Sequence, residues 1–194
     1  DDCGNASSAL AAGFGTAAGA SFDIGNGWTA AIGYEGDGST TNGLLTKEGL
    51  DAYGGQLTYT ADSYGASVTY ALIEGASATD TTYWGLNGYW SPSESGSMPS
   101  ISVGYEMGDP EASGAEDTTH YFVGLQWDEV GPGTFGAALG TTEHTTSSAT
   151  EYLMYEAFYS YPINDGMTIT PIVYIKETSG DDQTGVMVKT SFSF

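Results

Sequence analysis

The 194-residue chain carries 25 acidic side chains against three lysines and no arginine, a formal charge of −22. A field of that sign repels phosphate backbones and excludes nucleic acid as a partner. With 13% aromatics, 14 Tyr and 29 Gly, the chain is too rich in strand and turn formers for an acidic disordered segment.

No apolar run approaches the length of a transmembrane helix, a finding that leaves a membrane barrel open. Cys3 is the sole cysteine, so neither an internal disulfide nor a Cys-based zinc cluster forms within the chain. Asp1 and Asp2 do not resemble the apolar approach to a lipidation site. No signal peptide is read, and the sequence is expected to be a processed chain or a fragment.

In chain order, ASSALAAGFG is a weak first strand over about 6–14, followed by a strand ending near the GNG turn at 25–27. WTAAIGYE (28–35) then sets Trp28, Ala30, Ile32 and Tyr34 on one face, as a period of two requires. Tyr53, Leu57 and Tyr59 follow in AYGGQLTYT, and Tyr64, Ala66, Val68, Tyr70 and Leu72 in YGASVTYALI. TYWGLNGYW groups Trp84, Leu86 and Trp90; SISVGYEM groups Ile101, Val103, Tyr105 and Met107; THYFVGLQW groups Tyr121, Val123, Leu125 and Trp127. TFGAALG, EYLMYEAFYSY, MTITPIVYIK and TGVMVKTSFSF continue the series, with a count of twelve strands if 6–14 is the first.

Connections alternate between short (GNG, ADS, DEVGPG, PINDG) and long (35–51, 74–80, 108–118, 142–150, 177–183), with SPSESGSMP on the short side by parity. Most acids, among them Glu35, Asp51, Glu74, Glu116, Glu151 and Glu177, fall at the long-loop side. Aromatics cluster at both strand ends. Trp28, Tyr64, Trp90, Trp127, Phe135, Tyr161 and Phe194 mark the short-turn end; Tyr34, Tyr53, Trp84, Tyr105, Tyr121 and Tyr152 mark the other. Two such belts suit two lipid–water interfaces, where Trp and Tyr keep a ring in lipid and a polar atom at the headgroups. A soluble barrel or sandwich is the competing home for the same alternation. The fold class expected is therefore all-β, an antiparallel transmembrane barrel that closes its own hydrogen bonds in lipid.

The segments TTYWGLNGYWSPSESGSMPSISVGYEMG (81–108), HYFVGLQWDEV (120–130), YSYPINDGMTITPIVYIKE (159–177) and TGVMVKTSFSF (184–194) resemble the carbohydrate-selective porin (OprB) family, in its cyanobacterial iron-uptake branch. This resemblance runs from about residue 50 to the end. It implies an outer-membrane barrel over 1–194, with 1–18 poorly assigned and no S-layer-homology segment. The chain would then be the C-terminal part of a longer precursor and of a larger barrel of about 16 strands. It also implies passage of inorganic ions or small solutes, with sugars for the name-giving relatives, a homotrimer, outer-membrane lipid and lipopolysaccharide as surroundings, and a terminal Phe194 suited to barrel insertion.

A porin needs no catalytic residues and no cofactor, and none is assigned. His120 and His144 are the only histidines; His144 in EHTTSSAT is placed in a solvated loop and His120 near a strand start. Polar residues on the inward parity, Gln56, Thr58, Asn87, Ser102, Glu106, Gln126, Glu156, Lys189 and Ser191, are the expected pore lining. Glu106 and Glu156 would lower the cost of a cation in the lumen. Inward Tyr83, Tyr89 and Tyr174 are read as wall packing, with stacking on a sugar as the alternative. No metal site is assigned firmly; loose divalent cation binding at Asp109, Glu111, Asp181 and Asp182 is weighed against a solvated acidic rim, because no calcium-loop spacing is present.

Overall fold

A computed structural model describes residues 16–37, 45, 50–75, 79–92 and 98–193. The strands are β1 (Thr16–Gly25), β2 (Trp28–Asp37), β3 (Leu50–Thr60), β4 (Tyr64–Ile73), β5 (Thr81–Trp90), β6 (Ser100–Pro110), β7 (Thr118–Val130), β8 (Gly133–Thr141), β9 (Thr145–Thr146), β10 (Leu153–Asn164), β11 (Met167–Lys176) and β12 (Gln183–Phe192). They form one antiparallel meander in which each long strand pairs with the next, β8 pairs directly with β10, and the two-residue β9 pairs with the start of β7. The described residues contain no helix, and no ladder joins β1 to β12 among them. The expected strand over 6–14 and the terminal Phe194 lie outside the described residues.

The twelve strands found are not the twelve counted from sequence, because β9 is a short ladder inside a long connection. The strand between ADS and the next long loop begins at Tyr64, as the alternation required. By contrast β10 runs past Tyr161 through Pro162 to Asn164 before turning at Asp165–Gly166. Pro162 brings no N–H, and the register shifts between Pro162 and Asn164, where a strand tolerates a missing donor.

Short turns follow from local chemistry. Asn26 (φ 55°) and Gly27 (φ 84°) both take the left-handed conformation that a two-residue hairpin turn demands, and an Asn-Gly pair supplies it most cheaply. Gly27 is doubly constrained, because a Cβ there would sit 2.3 Å from the carbonyl oxygen of Thr60, whose N–H donates to the Gly27 carbonyl at 2.8 Å.

Burial is inverted relative to a soluble domain. Only Ala52, Ala71 and Ile172 are buried hydrophobics among the described residues, whereas Glu35, Asp51, Thr69, Glu106 and Thr141 are buried polar ones. Leu86, Trp84, Ile32, Val103 and Val188 are exposed. Exposed aliphatic and aromatic side chains on this scale need an apolar solvent, and lipid is that solvent.

Candidate functional site

Residues paired directly across an antiparallel ladder share a face. Through Gln56–Thr69–Gly85–Glu106–His120 and Thr58–Ser67–Asn87–Gly104–Phe122, the registers put the polar positions of β3 to β7 on one side of the sheet. The row Tyr89–Ser102–Gly124–Ala138–Glu156–Tyr174–Gly185 carries that side to β12. Gln126, Lys189 and Ser191 fall on the same side by the same ladders. All the polar residues singled out from the sequence thus share one face.

Much of that face bonds to itself. Gln56 Nε2 donates to Thr69 Oγ1 at 3.0 Å, and Thr58 Oγ1 donates to Gln56 Oε1 at 3.4 Å. Farther along, Gln126 Nε2 and Thr134 Oγ1 both donate to Asp128 Oδ1, at 3.1 and 3.2 Å. Between these clusters Tyr89, Ser102, Phe122, Gln126, Glu156 and Phe158 line an open depression of about 460 Å³.

The rings on this face lie against cross-strand glycines. A Cβ at Gly104 would fall 2.2 Å from Phe122, at Gly65 2.4 Å from Tyr89, at Gly136 2.3 Å from Phe158 and at Gly185 2.2 Å from Tyr174. Each glycine is the register partner of its ring. The ring covers the bare backbone of its neighbour, so Tyr89 and Tyr174 pack on the wall, and Tyr83 does the same over Gly108.

Across the sheet, the turn-end aromatics form a belt. Trp28 and Tyr59 have ring centroids 4.9 Å apart, Tyr59 and Tyr64 5.9 Å, and Trp127 and Phe135 5.7 Å. Tyr64 faces Trp90 across the ladder, and Tyr161 continues the belt 6.4 Å from Tyr159. At the loop end Tyr34 and Tyr53 pair at 5.5 Å, and Tyr70 meets Trp84 at 4.9 Å.

His144 departs from its expected place in a solvated loop. Its Nε2 reaches Glu106 Oε1 at 2.5 Å, spanning 38 residues, because the β8–β10 connection folds back onto the polar face. The His144 ring lies 5.2 Å from that of His120 and edge-on to Tyr83 at 5.7 Å. His120 Nδ1 is 2.7 Å from Thr141 Oγ1, which also accepts the Tyr121 N–H at 3.2 Å. Glu106 is only 1% exposed, and its Oε2 has no hydrogen-bond partner. Glu106 lies on the face shared by the other polar positions, and there His144 bonds to it. Nothing in its spacing signals a partner so far along the chain.

A family model described as Gram-negative porin matches residues 4–183. The chain belongs to the Gram-negative porin family. Among solved structures it is similar to the anion-selective porin from Comamonas acidovorans, with a TM-score of 0.71 at 14% identity over 92% of this chain and 59% of that one. At this identity the likeness carries the fold, an all-β antiparallel transmembrane barrel wall, and the chain spans 59% of that porin's length. No curated protein matches it.

The loop rim of this porin is acidic, but part of the acid is structural. Tyr34 and Tyr53 hydroxyls donate to the two carboxylate oxygens of Asp51 at 3.1 and 3.2 Å, leaving Asp51 1% exposed. Glu177 accepts from the Leu153 N–H at 2.8 Å and from Tyr155 at 3.4 Å, and Glu151 accepts from Tyr121 at 2.9 Å. Glu116 accepts from the Ser147 hydroxyl at 3.2 Å and from the Ser148 N–H at 3.0 Å. Hydrogen bonds from the Ser148 side chain and backbone hold the Glu116 carboxyl below its ordinary range.

The carboxylates weighed for cation binding lie on two separate long connections and their strand ends. Asp109 lies in β6 opposite Thr82, the Glu111 N–H donates to the Asp80 carbonyl at 2.8 Å, and the Asp181 carbonyl accepts from Thr178 Oγ1 at 3.0 Å. Among the described residues, no group of three or more His, Cys, Asp or Glu side chains is disposed to hold a metal ion.

Proposed function

We propose that this chain forms the wall of an outer-membrane channel for passive diffusion of inorganic ions and small hydrophilic solutes. The observation that carries the reading is the inverted sheet: aliphatic and aromatic side chains exposed on one face, and a hydrogen-bonded polar lining on the other. Gln56, Thr58, Asn87, Ser102, Glu106, Gln126, Glu156, Lys189 and Ser191 are assigned to the water-filled side, with the girdle residues Trp28, Tyr64, Trp90, Trp127, Phe135, Tyr161 and Phe194 at the periplasmic interface. Long loops face outward, and both termini are periplasmic. The working assembly is a trimer in lipid and lipopolysaccharide.

The preferred solute is a cation. The structural neighbour's printed name assigns it anion selectivity, but its likeness stops at the fold, and this chain has 25 acids, three lysines and no arginine with which to attract anions. Reconstitution in a planar bilayer under a salt gradient tests this: the reversal potential should have the sign of cation preference, and E156K should reduce that preference. A folded protein that carries no current would leave the plugged, anchoring barrel as the reading. Anion-sign reversal would overturn the preference alone.

A second reading, sugar passage as in the carbohydrate-selective branch, draws on the depression bounded by Tyr89, Phe122 and Phe158 with Glu156 and Gln126 as hydroxyl partners. Concentration-dependent block of the ionic current by a neutral sugar would favour it; a current indifferent to sugars would remove it.

A further inference from the structure

A carboxylate on a channel wall beside a glycine should be wet. Glu106 pairs across the ladder with Gly85 on one side and His120 on the other, so the wall itself offers little cover on the Gly85 side. It is nevertheless 1% exposed, because His144 closes over it while keeping a third of its own side chain accessible. Among the described residues, His144 and Glu106 are the one pair of oppositely ionisable side chains within salt-bridge distance.

The connection that brings His144 there is tethered twice. Its outer tether is the two-residue β9 ladder, Thr145 and Thr146 against Thr119 and Thr118, reinforced by Glu116 holding Ser147 and Ser148. Its inner tether is His144, bonded to Glu106 and lying against the rings of His120 and Tyr83. The outer tether fixes the segment at the rim. The inner one brings the His144 ring over Glu106 on the polar face.

We infer that the segment between β8 and β10 is an inward-folded latch, in which His144 on Glu106 screens a wall carboxylate and narrows the path beside it. Glu106 Oε2, buried and without a partner, is the group that gains most from release, since water reaches it once the ring swings away. His144 is thus a positioning and selectivity-setting residue rather than a loop ornament. This inference rests on the channel reading above.

The test compares H144A with H144Q in single-channel recordings of reconstituted full-length chain, with folding checked by heat-modifiable gel mobility. H144A should raise single-channel conductance and shift the reversal potential further toward cations, because an unscreened carboxylate now faces the path. H144Q, whose amide still donates to Glu106, should stay near the parent in both. Folded H144A with unchanged conductance and reversal potential would overturn the latch.

If the parent chain carries no current, the channel reading has failed, and the latch is decided by chemistry instead. Diethyl pyrocarbonate modification of His144 in the folded, detergent-solubilised barrel, located by peptide mass, should be slower in the parent than in E106A. Equal rates at His144 would show that Glu106 does not hold it.

Discussion

The two rims of the sheet are built by different means. At the turn rim, the hairpins are capped by bonds short in sequence, Asp23 accepting from the Gly25 N–H at 2.8 Å and Asn164 from the Gly166 N–H at 2.9 Å, each two residues away, beside longer backbone ties such as the Thr60 N–H to the Gly27 carbonyl. At the loop rim, the fixing bonds join distant parts of the chain, such as Tyr34 to Asp51 over 17 residues, Tyr121 to Glu151 over 30 and His144 to Glu106 over 38. The turns are therefore specified by local backbone conformation, whereas the bonds of the loop rim need strands far apart in sequence to be in place. Strain placed at the first should damage folding itself, whereas bonds lost at the second should loosen the rim and leave the wall standing.

The largest effect is expected from G27A. A left-handed residue other than glycine costs about 1–2 kcal/mol, and here the added methyl also meets the Thr60 carbonyl oxygen at 2.3 Å, which is backbone and has little room to yield. The β1–β2 turn and its hydrogen bond to β3 should suffer together. The urea midpoint of the refolded barrel in detergent should fall well below the parent's, and an unchanged midpoint would break the contrast between the rims.

At the loop rim, D51A should cost less. It removes the acceptor for two tyrosine hydroxyls, about 1–2 kcal/mol when they rehydrate, because Tyr34 and Tyr53 stand at a belt with water at hand. The expected signature is a modest fall in urea midpoint with faster protease cleavage of the adjoining connection. A loss equal to that of G27A would mean that Asp51 organises the wall as well as its margin.

G104A sharpens the comparison from the middle of the sheet, where neither rim operates. The new methyl would sit 2.2 Å from a Phe122 ring carbon and 2.8 Å from Asn87 Oδ1, so both side chains must move. Rings rotate more readily than backbone, and overpacking of this kind costs about 1 kcal/mol or somewhat more. The fall in midpoint should be comparable with that of D51A, and tryptophan fluorescence should show the barrel still folded.

The wall was legible in the sequence and the loop rim was not, for one physical reason. A period of two is a local rule, and Trp84, Leu86, Ile101, Val103 and Val123 obey it in the fold, as do Gln56, Asn87, Ser102 and Glu156 on the other face. Asn26–Gly27 announces its turn within two residues. The pairing of Glu106 with His144 depends on which connection folds inward, and the sequence EHTTSSAT resembles any polar loop. The short β9 hides for the same reason, since Thr145 and Thr146 become a strand only because Thr118 and Thr119 lie beside them. On β12 the rule weakens again: Met187, on the polar parity, is exposed, though less than its apolar neighbours Val186 and Val188.

The smallest expected effect is also the one that isolates a single loop-rim bond. Glu116 is ionised more readily in the fold than its ordinary range implies, because the Ser148 hydroxyl and N–H, with Ser147, bond to the charged form. A carboxyl whose pKa is lowered by folding contributes stability that is present above its unfolded pKa and is lost as pH falls through the lower, folded value. At neutral pH, then, Glu116 holds the 142–152 segment to the start of β7, and acid should free it while leaving the ladders intact. Limited proteolysis of that segment should accelerate as pH drops through the acid range in the parent, using a protease active at low pH. In E116Q the segment should be cleaved somewhat faster at neutral pH and show a flatter acid response. A parent and E116Q with identical pH profiles would show that the β9 ladder alone fixes the outer tether, and that the rim, like the turns, rests on backbone.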